Sequence, residues 1–409
     1  MEGNSELRIE VDPGHSMTLK LEHGQAECFG AELAPNHEYE LHGPSKQAIY
    51  TFEGGVTLKT KVVSSTAGIG GGVVEYVSSE TVQQKYVKLY DQVFKVAYKR
   101  VLIVGEGRNV LGRTWTNYGI RLGGEPLLVN LDVRNGAVLF PGVIGALPST
   151  PNRVYEMGDF RGCMLDGSAV APCAYFFGHG EVRDNGKLYR KLTTALSSVV
   201  KARLDVHPQP MIAIGPADAD EDLISDLCDL FGFDSVVTVG NERLYNLLLK
   251  KQLKKTELLK APKNVGYVMR DGPWRRCEQQ RQFQGYFYGS HSEYTPFSST
   301  LPYASLHVFR VGEGGTVAPS SALPLGATRK VDGTRMARVG ELSSTLLLYS
   351  VLAVSSAQEE ARVGEAPAAG FVYVTGVDEA KGTITLLSPC PGELYSKYLL
   401  LGSLKWIEK

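Results

Sequence analysis

Hydrophobic and polar residues alternate along roughly the first 80 residues of the chain. Leu7, Ile9 and Val11 have polar neighbours, and residues 17–21 repeat the pattern, with clusters of Gly, Pro, Asn or Ser between such runs. Short alternating runs at this spacing are typical of successive β-strands that bury one face. The sequence therefore predicts an N-terminal β domain, either a small sandwich or a barrel.

The hydrophobic period changes after this region. Apolar residues recur at helical spacing from Val82 to Ala97, and strand-like apolar runs then alternate with helical patterns. This alternation predicts a parallel sheet covered by helices on both faces. The predicted strands are 101–104, 126–133, 210–215, 235–240 and 262–269, and the predicted helices are 197–204, 220–231 and 242–260.

Strand patterns return from about residue 299, at 306–311, 370–375, 383–387 and 398–401, with one helix predicted near 342–353. The whole pattern predicts an α/β protein with flanking β-rich domains. We place an N-terminal β-sandwich with a linking helix at residues 1–98, a central parallel-sheet domain at 99–298 and a C-terminal β-rich α/β domain at 299–409.

One stretch of the central domain has the outline of a phosphate-binding loop. The apolar run 101–104 ends in glycines, and Gly107 is followed by four residues and then by Gly112, Arg113 and Thr114. The phosphate-binding loop has the pattern Gly-x4-Gly-Lys-[Ser/Thr], in which backbone N–H groups surround the phosphates and the lysine reaches the β and γ oxygens. Arginine in place of lysine keeps the charge but not its compact shape.

The charge balance, the cysteines and the hydropathy of the chain argue against several classes of protein. The chain has 43 basic and 44 acidic residues, and this balance argues against a protein that coats DNA or RNA. The six cysteines show no metal-binding spacing, which predicts reduced thiols and no zinc site. The polar N-terminus and the lack of an apolar run of roughly 18 residues predict a soluble, intracellular protein without a membrane span.

Short motifs occur in one order along nearly the whole chain. They are AECFGAEL at 26–33, NYGIRLG at 117–123, LDV at 131–133, YFFGH at 175–179, PK at 262–263, YFYG at 286–289 and SPCPG at 388–392. This ordered set resembles the eukaryotic RNA 5′-hydroxyl kinase family, and above all its kinase-like members in the pre-mRNA cleavage and polyadenylation factor. The resemblance implies an N-terminal β-sandwich, a central P-loop domain and a C-terminal α/β domain.

The resemblance also implies where the phosphate-binding loop should begin. The glycine after the strand is Gly105, but the residue five positions later is Val110 and not glycine. Counted from Gly105 to Asn117, the chain is about three residues shorter than the family pattern. In one alignment, Gly107 and the Gly-Arg-Thr triplet 112–114 form a shifted loop before a shortened helix. In the other, the centre of the loop is deleted and Arg113 is a helix residue. The second is favoured, because a helix confined between Thr114 and Gly123 has barely two turns.

The resemblance assigns further roles in binding ATP and Mg²⁺. Asp132 and Thr114 would hold Mg²⁺, with Asp132 also near the substrate hydroxyl, and Arg270 and Arg275 would form an arginine lid over the phosphates. Lys46 would contact the base. The alternatives are a carboxylate that caps a turn for Asp132 and surface positions for the two arginines. Residues 214–220 contain no aromatic side chain to stack on an RNA base, which indicates a second loss besides the lysine.

These observations favour a nuclear, catalytically degenerate subunit of the mRNA 3′-end processing machinery with weak or lost ATP binding. It would act as an interaction platform and bind other subunits on the central domain, with RNA as a further candidate partner. The alternative is an active ATP-dependent polynucleotide 5′-hydroxyl kinase that uses Arg113 in place of lysine. A relative that processes ribosomal RNA ranks lower, because the long extra segments of such kinases are absent.

Overall fold

The computed structural model describes residues 1–65, 71–96, 98–136, 138–149, 171–264, 271–289, 294–312, 334 and 336–408 of the chain. The strands are β1 (Glu6–Val11), β2 (His15–His23), β3 (Ala26–Cys28), β4 (Ala31–Glu32), β5 (Glu38–His42), β6 (Ser45–Thr51), β7 (Thr57–Ser65), β8 (Val73–Ser78), β9 (Arg100–Gly105), β10 (Leu127–Asn130), β11 (Val143–Pro148), β12 (Cys173–Phe176), β13 (Met211–Ile214), β14 (Ser235–Val239), β15 (Glu257–Ala261), β16 (Phe297–Pro302), β17 (His307–Val311), β18 (Met336–Arg338), β19 (Ser350–Ser355), β20 (Ala368–Asp378), β21 (Thr383–Ser388) and β22 (Tyr398–Lys405). The helices are α1 (Gln83–Phe94), α2 (Arg108–Arg121), α3 (Gly186–Val206), α4 (Glu221–Phe231), α5 (Glu242–Lys251), α6 (Gly272–Tyr288) and α7 (Ser344–Leu347).

The chain forms two compact groups of residues. The first comprises the described residues within 1–129, 147–163 and 204–279, and the second those within 130–146, 164–203 and 280–409. No helix in the described part of the chain is both long and apolar enough to cross a membrane.

The N-terminal domain is a β-sandwich, as the sequence predicts. One sheet has the strand order β4-β3-β6-β1-β8 and the other the order β5-β2-β7. The alternating residues of β1 and β2 point between the sheets, where Ile9, Met17 and Leu19 are almost completely buried. The period of two along each strand therefore positions this core.

The first compact group also contains a parallel sheet with the order β15-β14-β9-β13-β10. Val101, Leu102, Ile103 and Val104 of β9 are fully buried, because β14 and β13 flank this strand and helices cover it. Asp220 caps α4 by accepting a hydrogen bond from the backbone N–H of Leu223 at 2.8 Å. This is the covered parallel sheet that the alternation of strands and helices predicts.

The second compact group contains a largely antiparallel sheet with the order β11-β12-β20-β19-β22-β17-β18, to which β21 and β16 add beside β20. Its core includes Leu352, Val374 and Leu399 on three neighbouring strands. The C-terminal β-rich region predicted from the strand patterns is therefore present.

Four predicted boundaries require correction. The helix predicted at 197–204 already begins at Gly186. The helix predicted at 242–260 ends at Lys251, since Gln252 adopts a left-handed φ of 52° and residues 257–261 pair in parallel with β14. The helix predicted near 342–353 is only α7, because Tyr349 has a φ of 64° and β19 then lies between β20 and β22. The strand that we predicted to reach residue 133 ends at Asn130. Most of the strand predicted at 262–269 lies outside the described residues.

Candidate nucleotide site

The connection between β9 and α2 is the place where a phosphate-binding loop would lie. Only Glu106 and Gly107 separate the end of β9 at Gly105 from the start of α2 at Arg108. Gly105 and Gly107 adopt left-handed φ values of 91° and 83°, which turn the chain sharply from strand into helix. A Cβ atom on Gly105 would lie 2.4 Å from the carbonyl oxygen of Val239, so glycine is required there. A connection this short has no run of backbone N–H groups long enough to surround a triphosphate.

The Gly-Arg-Thr triplet lies inside α2 and not in this connection. Because α2 begins at Arg108, Gly112, Arg113 and Thr114 occupy its second turn. The alignment that treats them as a shifted loop before a shortened helix is therefore wrong. The start of α2 agrees with the alignment in which the centre of the loop is deleted.

Gly112 has a packing role. A Cβ atom at this position would lie 2.8 Å from Cγ1 and 3.0 Å from Cδ1 of Ile214, in β13. Glycine therefore lets α2 approach the sheet closely. This packing accounts for a glycine in the middle of the helix, where it otherwise destabilises by up to about 1 kcal/mol relative to alanine.

Arg113 and Thr114 are also committed to contacts within the protein. The guanidinium carbon of Arg113 lies 5.3 Å from the centre of the Phe29 ring in the N-terminal domain. Thr114 is fully buried, and its hydroxyl donates a hydrogen bond of 2.8 Å to the carbonyl oxygen of Val110. Neither side chain is placed as a phosphate or Mg²⁺ ligand requires.

The short connection is held by charged residues that sequence reasoning did not select. Arg108 is 7% exposed, and its guanidinium donates to the carbonyl oxygens of Gly215 at 2.8 Å and Gly105 at 3.2 Å. Glu106 forms an ion pair with Lys263, which follows β15. Lys263 stands in a Pro-Lys motif that the family resemblance includes, and this was the only signal in the sequence. Arg108 thus links the carboxyl ends of β9 and β13, and the ion pair between Glu106 and Lys263 links those of β9 and β15.

Asp132 belongs to the second compact group, two residues beyond the end of β10. It is fully buried, and its carboxylate accepts hydrogen bonds from the backbone N–H of Arg134 at 3.1 Å and from Nδ2 of Asn135 at 2.7 Å. Asn130 supports the same turn, because its Oδ1 accepts from the backbone N–H of Asp132 at 3.2 Å. This geometry is that of a carboxylate that caps a turn, the alternative to the predicted metal-binding role.

The other predicted site residues are dispersed. Lys46 lies on β6, and its ammonium group forms a 2.7 Å ion pair with Glu10 of the neighbouring strand β1. Arg275 is exposed near the beginning of α6. Arg270 lies outside the described residues. The positions of Lys46 and Arg275 do not indicate that these side chains contact a nucleotide.

The connection between β9 and α2, the Thr114 hydroxyl and the Asp132 carboxylate do not fit the roles that the resemblance assigned to them for ATP and Mg²⁺. The loop is too short, the Thr114 hydroxyl is bonded within α2 and the Asp132 carboxylate is bonded within its own turn. Among the described residues, no group of three or more His, Cys, Asp or Glu side chains could hold a metal ion. The described residues retain the strand–turn–helix order of a P-loop domain, with a connection of only two residues between β9 and α2.

The fold is that of a three-domain protein with an N-terminal β-sandwich, a central P-loop domain and a C-terminal domain. Three family descriptions match successive parts of the chain: the N-terminal β-sandwich domain of polyadenylation factor at residues 1–95, the mRNA cleavage and polyadenylation factor CLP1 P-loop at 104–289, and pre-mRNA cleavage complex II protein Clp1 at 294–408. The chain belongs to the Clp1 family.

Named relatives cover the whole chain. It is 30% identical over 431 aligned positions to a Protein CLP1 homolog of Dictyostelium discoideum, covering 100% of this chain and 89% of the relative. It is 31% identical over 435 positions to a Protein CLP1 homolog of Arabidopsis thaliana, covering 100% and 94%. It is also 31% identical over 435 positions to the Polyribonucleotide 5′-hydroxyl-kinase Clp1 of Danio rerio, covering 100% and 93%.

Solved structures share the fold. A Clp1p–Pcf11p structure, whose description concerns an extended interface and ATP loss in a point mutant, superposes with a TM-score of 0.85 at 23% identity. It covers 100% of this chain and 98% of the solved chain. A wild-type Clp1p–Pcf11p complex superposes with a TM-score of 0.84 at 23% identity and covers 100% and 97%.

Proposed function

We propose that this chain is a kinase-like subunit of the nuclear mRNA 3′-end cleavage and polyadenylation machinery that acts as an interaction platform. The chain belongs to a family whose members are described as pre-mRNA cleavage and polyadenylation proteins, and this membership supports the assignment to this machinery. In this proposal, the protein has weak or lost ATP binding and does not transfer phosphate.

The observation that carries the proposed loss of catalysis is the two-residue connection between β9 and α2. Phosphoryl transfer depends almost entirely on positioning the phosphates and stabilising their charge, and the loop and its lysine supply both. Here the lysine is absent, and Arg113 at the equivalent place in the motif packs on Phe29. The cations at the connection are bonded within the protein: Arg108 to the carbonyl oxygens of Gly215 and Gly105, and Lys263 to the Glu106 carboxylate.

The proposed platform role concerns the central domain. Both solved structures are described as containing Clp1p and Pcf11p, and we propose that a processing factor of this kind also binds this chain, on its central domain. RNA is a further candidate partner. Docking on a surface that shares no residue with the β9–α2 connection would persist after the phosphate cradle is lost.

The alternative is an active ATP-dependent polynucleotide 5′-hydroxyl kinase, and the name of the Danio rerio relative favours it. It would require ATP and Mg²⁺ as cofactors, with Arg113 in place of lysine and with Thr114 and Asp132 at the metal. In the fold, these three side chains contact protein groups instead.

The test is transfer of labelled phosphate from ATP to an RNA that ends in a 5′-hydroxyl. The purified full chain is compared with the Danio rerio relative under the same conditions, and ATP binding by both is measured by calorimetry. We expect the chain to transfer phosphate at least about three orders of magnitude more slowly than an active kinase. Turnover at a comparable rate would reject the proposal and establish the kinase alternative.

A further inference from the structure

The turn between β3 and β4 packs directly on α2. The carbonyl oxygen of Phe29 accepts a 2.9 Å hydrogen bond from Nδ2 of Asn117, and the Arg113 guanidinium lies over the Phe29 ring. Gly30 has a φ of 83°, and a Cβ atom there would lie 2.6 Å from the carbonyl oxygen of Thr114. The backbone of the turn thus touches the backbone of the helix, at the residues whose sequence imitates a phosphate-binding motif.

A buried carboxylate lies beside this contact. Glu27 of β3 is fully buried, and its Oε1 accepts hydrogen bonds from the Tyr118 hydroxyl and from Nε2 of Gln83, each at 2.6 Å. Its Oε2 accepts from the guanidinium of Arg121 at 2.7 Å. A carboxylate removed from water is very costly unless an opposite charge and hydrogen bonds compensate it, and here both are present. One side chain of the sandwich therefore joins α1 and α2.

Arg121 and Tyr118 add two further features to the hydrogen-bond network around Glu27. Arg121 also donates to the carbonyl oxygen of Gly30 at 3.1 Å and pairs with Glu32 at 2.8 Å, so it contacts the hairpin on both sides of the turn. The pKa of the Tyr118 hydroxyl is raised, mainly by burial and then by the Glu27 charge. Tyr118 is therefore protonated and remains a hydrogen-bond donor to Glu27 across the physiological range of pH.

We propose that Glu27, Gln83, Tyr118 and Arg121 form a latch that fixes the N-terminal sandwich on α2. The helix that follows a phosphate-binding loop normally meets the nucleotide through its N-terminal turn. Here α2 is held along its length by a hairpin of another domain. The latch rests on these contacts alone and holds whether or not the proposed function is correct.

Hydrogen exchange of the full-length chain tests the latch. The isosteric variant Glu27→Gln removes the charge of the latch, and Arg121→Met removes its cation. The matched control is Glu10→Gln, which breaks the 2.7 Å pair with Lys46 inside the sandwich. We expect either latch variant to increase amide exchange about tenfold or more in both segments 26–32 and 111–121, and the control to change neither segment.

The result that would overturn the latch is exchange in segment 111–121 that is unchanged in the latch variants or increased equally by Glu10→Gln. If either latch variant does not fold, Tyr118→Phe decides, because it removes one hydrogen bond to Glu27 and leaves the ion pair between Glu27 and Arg121 intact. Combining Glu27→Gln with Arg121→Met should add little to Glu27→Gln alone, and additive effects would contradict one shared network.

Addition of ATP and Mg²⁺ to the wild-type chain tests the proposed function separately. Protection of α2 from exchange would reject the proposed loss of ATP binding and leave the result for the latch unaffected.

Discussion

The hydroxyl of Thr114 donates its hydrogen bond to the carbonyl oxygen of Val110, 2.8 Å away and one turn earlier in α2. Thr116 makes the same contact with Gly112, also at 2.8 Å, and both threonines are fully buried. The two residues are therefore structurally equivalent, although only Thr114 fits the pattern of a phosphate-binding loop.

This equivalence predicts that Thr114→Val and Thr116→Val have the same effect. Each removes one buried hydroxyl and should lower the free energy of unfolding by about 1 kcal/mol, measured by urea denaturation. Neither should alter nucleotide binding measured by calorimetry. A loss of Mg²⁺-dependent ATP binding in Thr114→Val alone would identify Thr114 as a metal ligand.

Gly112→Ala should destabilise the protein because of the close approach to Ile214. Alanine is favoured in a helix by up to about 1 kcal/mol, but overpacking costs about 1–3 kcal/mol, so we expect a small net loss. Gly186 at the start of α3 is the matched control, since a Cβ atom there would meet nothing within 4 Å. Gly186→Ala should be neutral or stabilising in the same urea experiment. Equal effects of the two variants would contradict the packing role of Gly112.

Arg113→Lys restores the residue that a phosphate-binding loop requires. Because Arg113 lies within α2 and over Phe29, we expect no increase in ATP affinity by calorimetry. Lysine also carries a cation that can lie over the Phe29 ring, so the substitution should change the free energy of unfolding by less than about 1 kcal/mol. Tighter ATP binding would instead show that Arg113 reaches the phosphates.

The sequence was a good guide where burial determined the structure. The run 101–104 is apolar because neighbouring strands and helices enclose it, so its pattern alone predicts a central strand. Helix ends were predicted less well. Leu258 and Leu259 continue the helical period of α5, and only the left-handed φ of Gln252, together with pairing to β14, converts this region into a strand.

The candidate site was harder to predict for a related reason. The spacing of Gly107, Gly112 and Arg113 is the same whether these residues surround a phosphate or lie along a helix. What separates the two cases is the position at which α2 begins and the partner that each side chain meets, and both depend on distant residues such as Ile214 and Phe29. Glu106 and Arg108 were missed because their contacts are likewise long-range.

Glu106→Gln tests whether charge or loop length prevents phosphate binding. The side chains of Glu106 and Lys263 are 38% and 37% exposed, so solvent screens their ion pair, and its loss should change the free energy of unfolding by less than about 1 kcal/mol. The variant frees Lys263 from a carboxylate but leaves only two residues between β9 and α2. We therefore expect no gain in binding of ATP or inorganic triphosphate by calorimetry. A clear gain would show that the Glu106 carboxylate, and not the short loop, excludes the anion.

The cysteines provide a final test of the hairpin contact. Burial raises the pKa of the Cys28 thiol to about 12, and the nearby Arg113 charge only partly opposes this shift. Because the thiolate is the reactive form, Cys28 should react far more slowly with iodoacetamide at pH 8 than the exposed Cys277 and Cys390. Mass spectrometry of the native protein measures the three rates, and the same reaction in urea is the control in which the difference should disappear. Glu27→Gln should accelerate labelling of Cys28 but not of Cys228, a buried residue of α4 whose pKa is likewise raised by burial to about 12. Equal acceleration at both cysteines would mean that the substitution loosens the whole fold and not the hairpin.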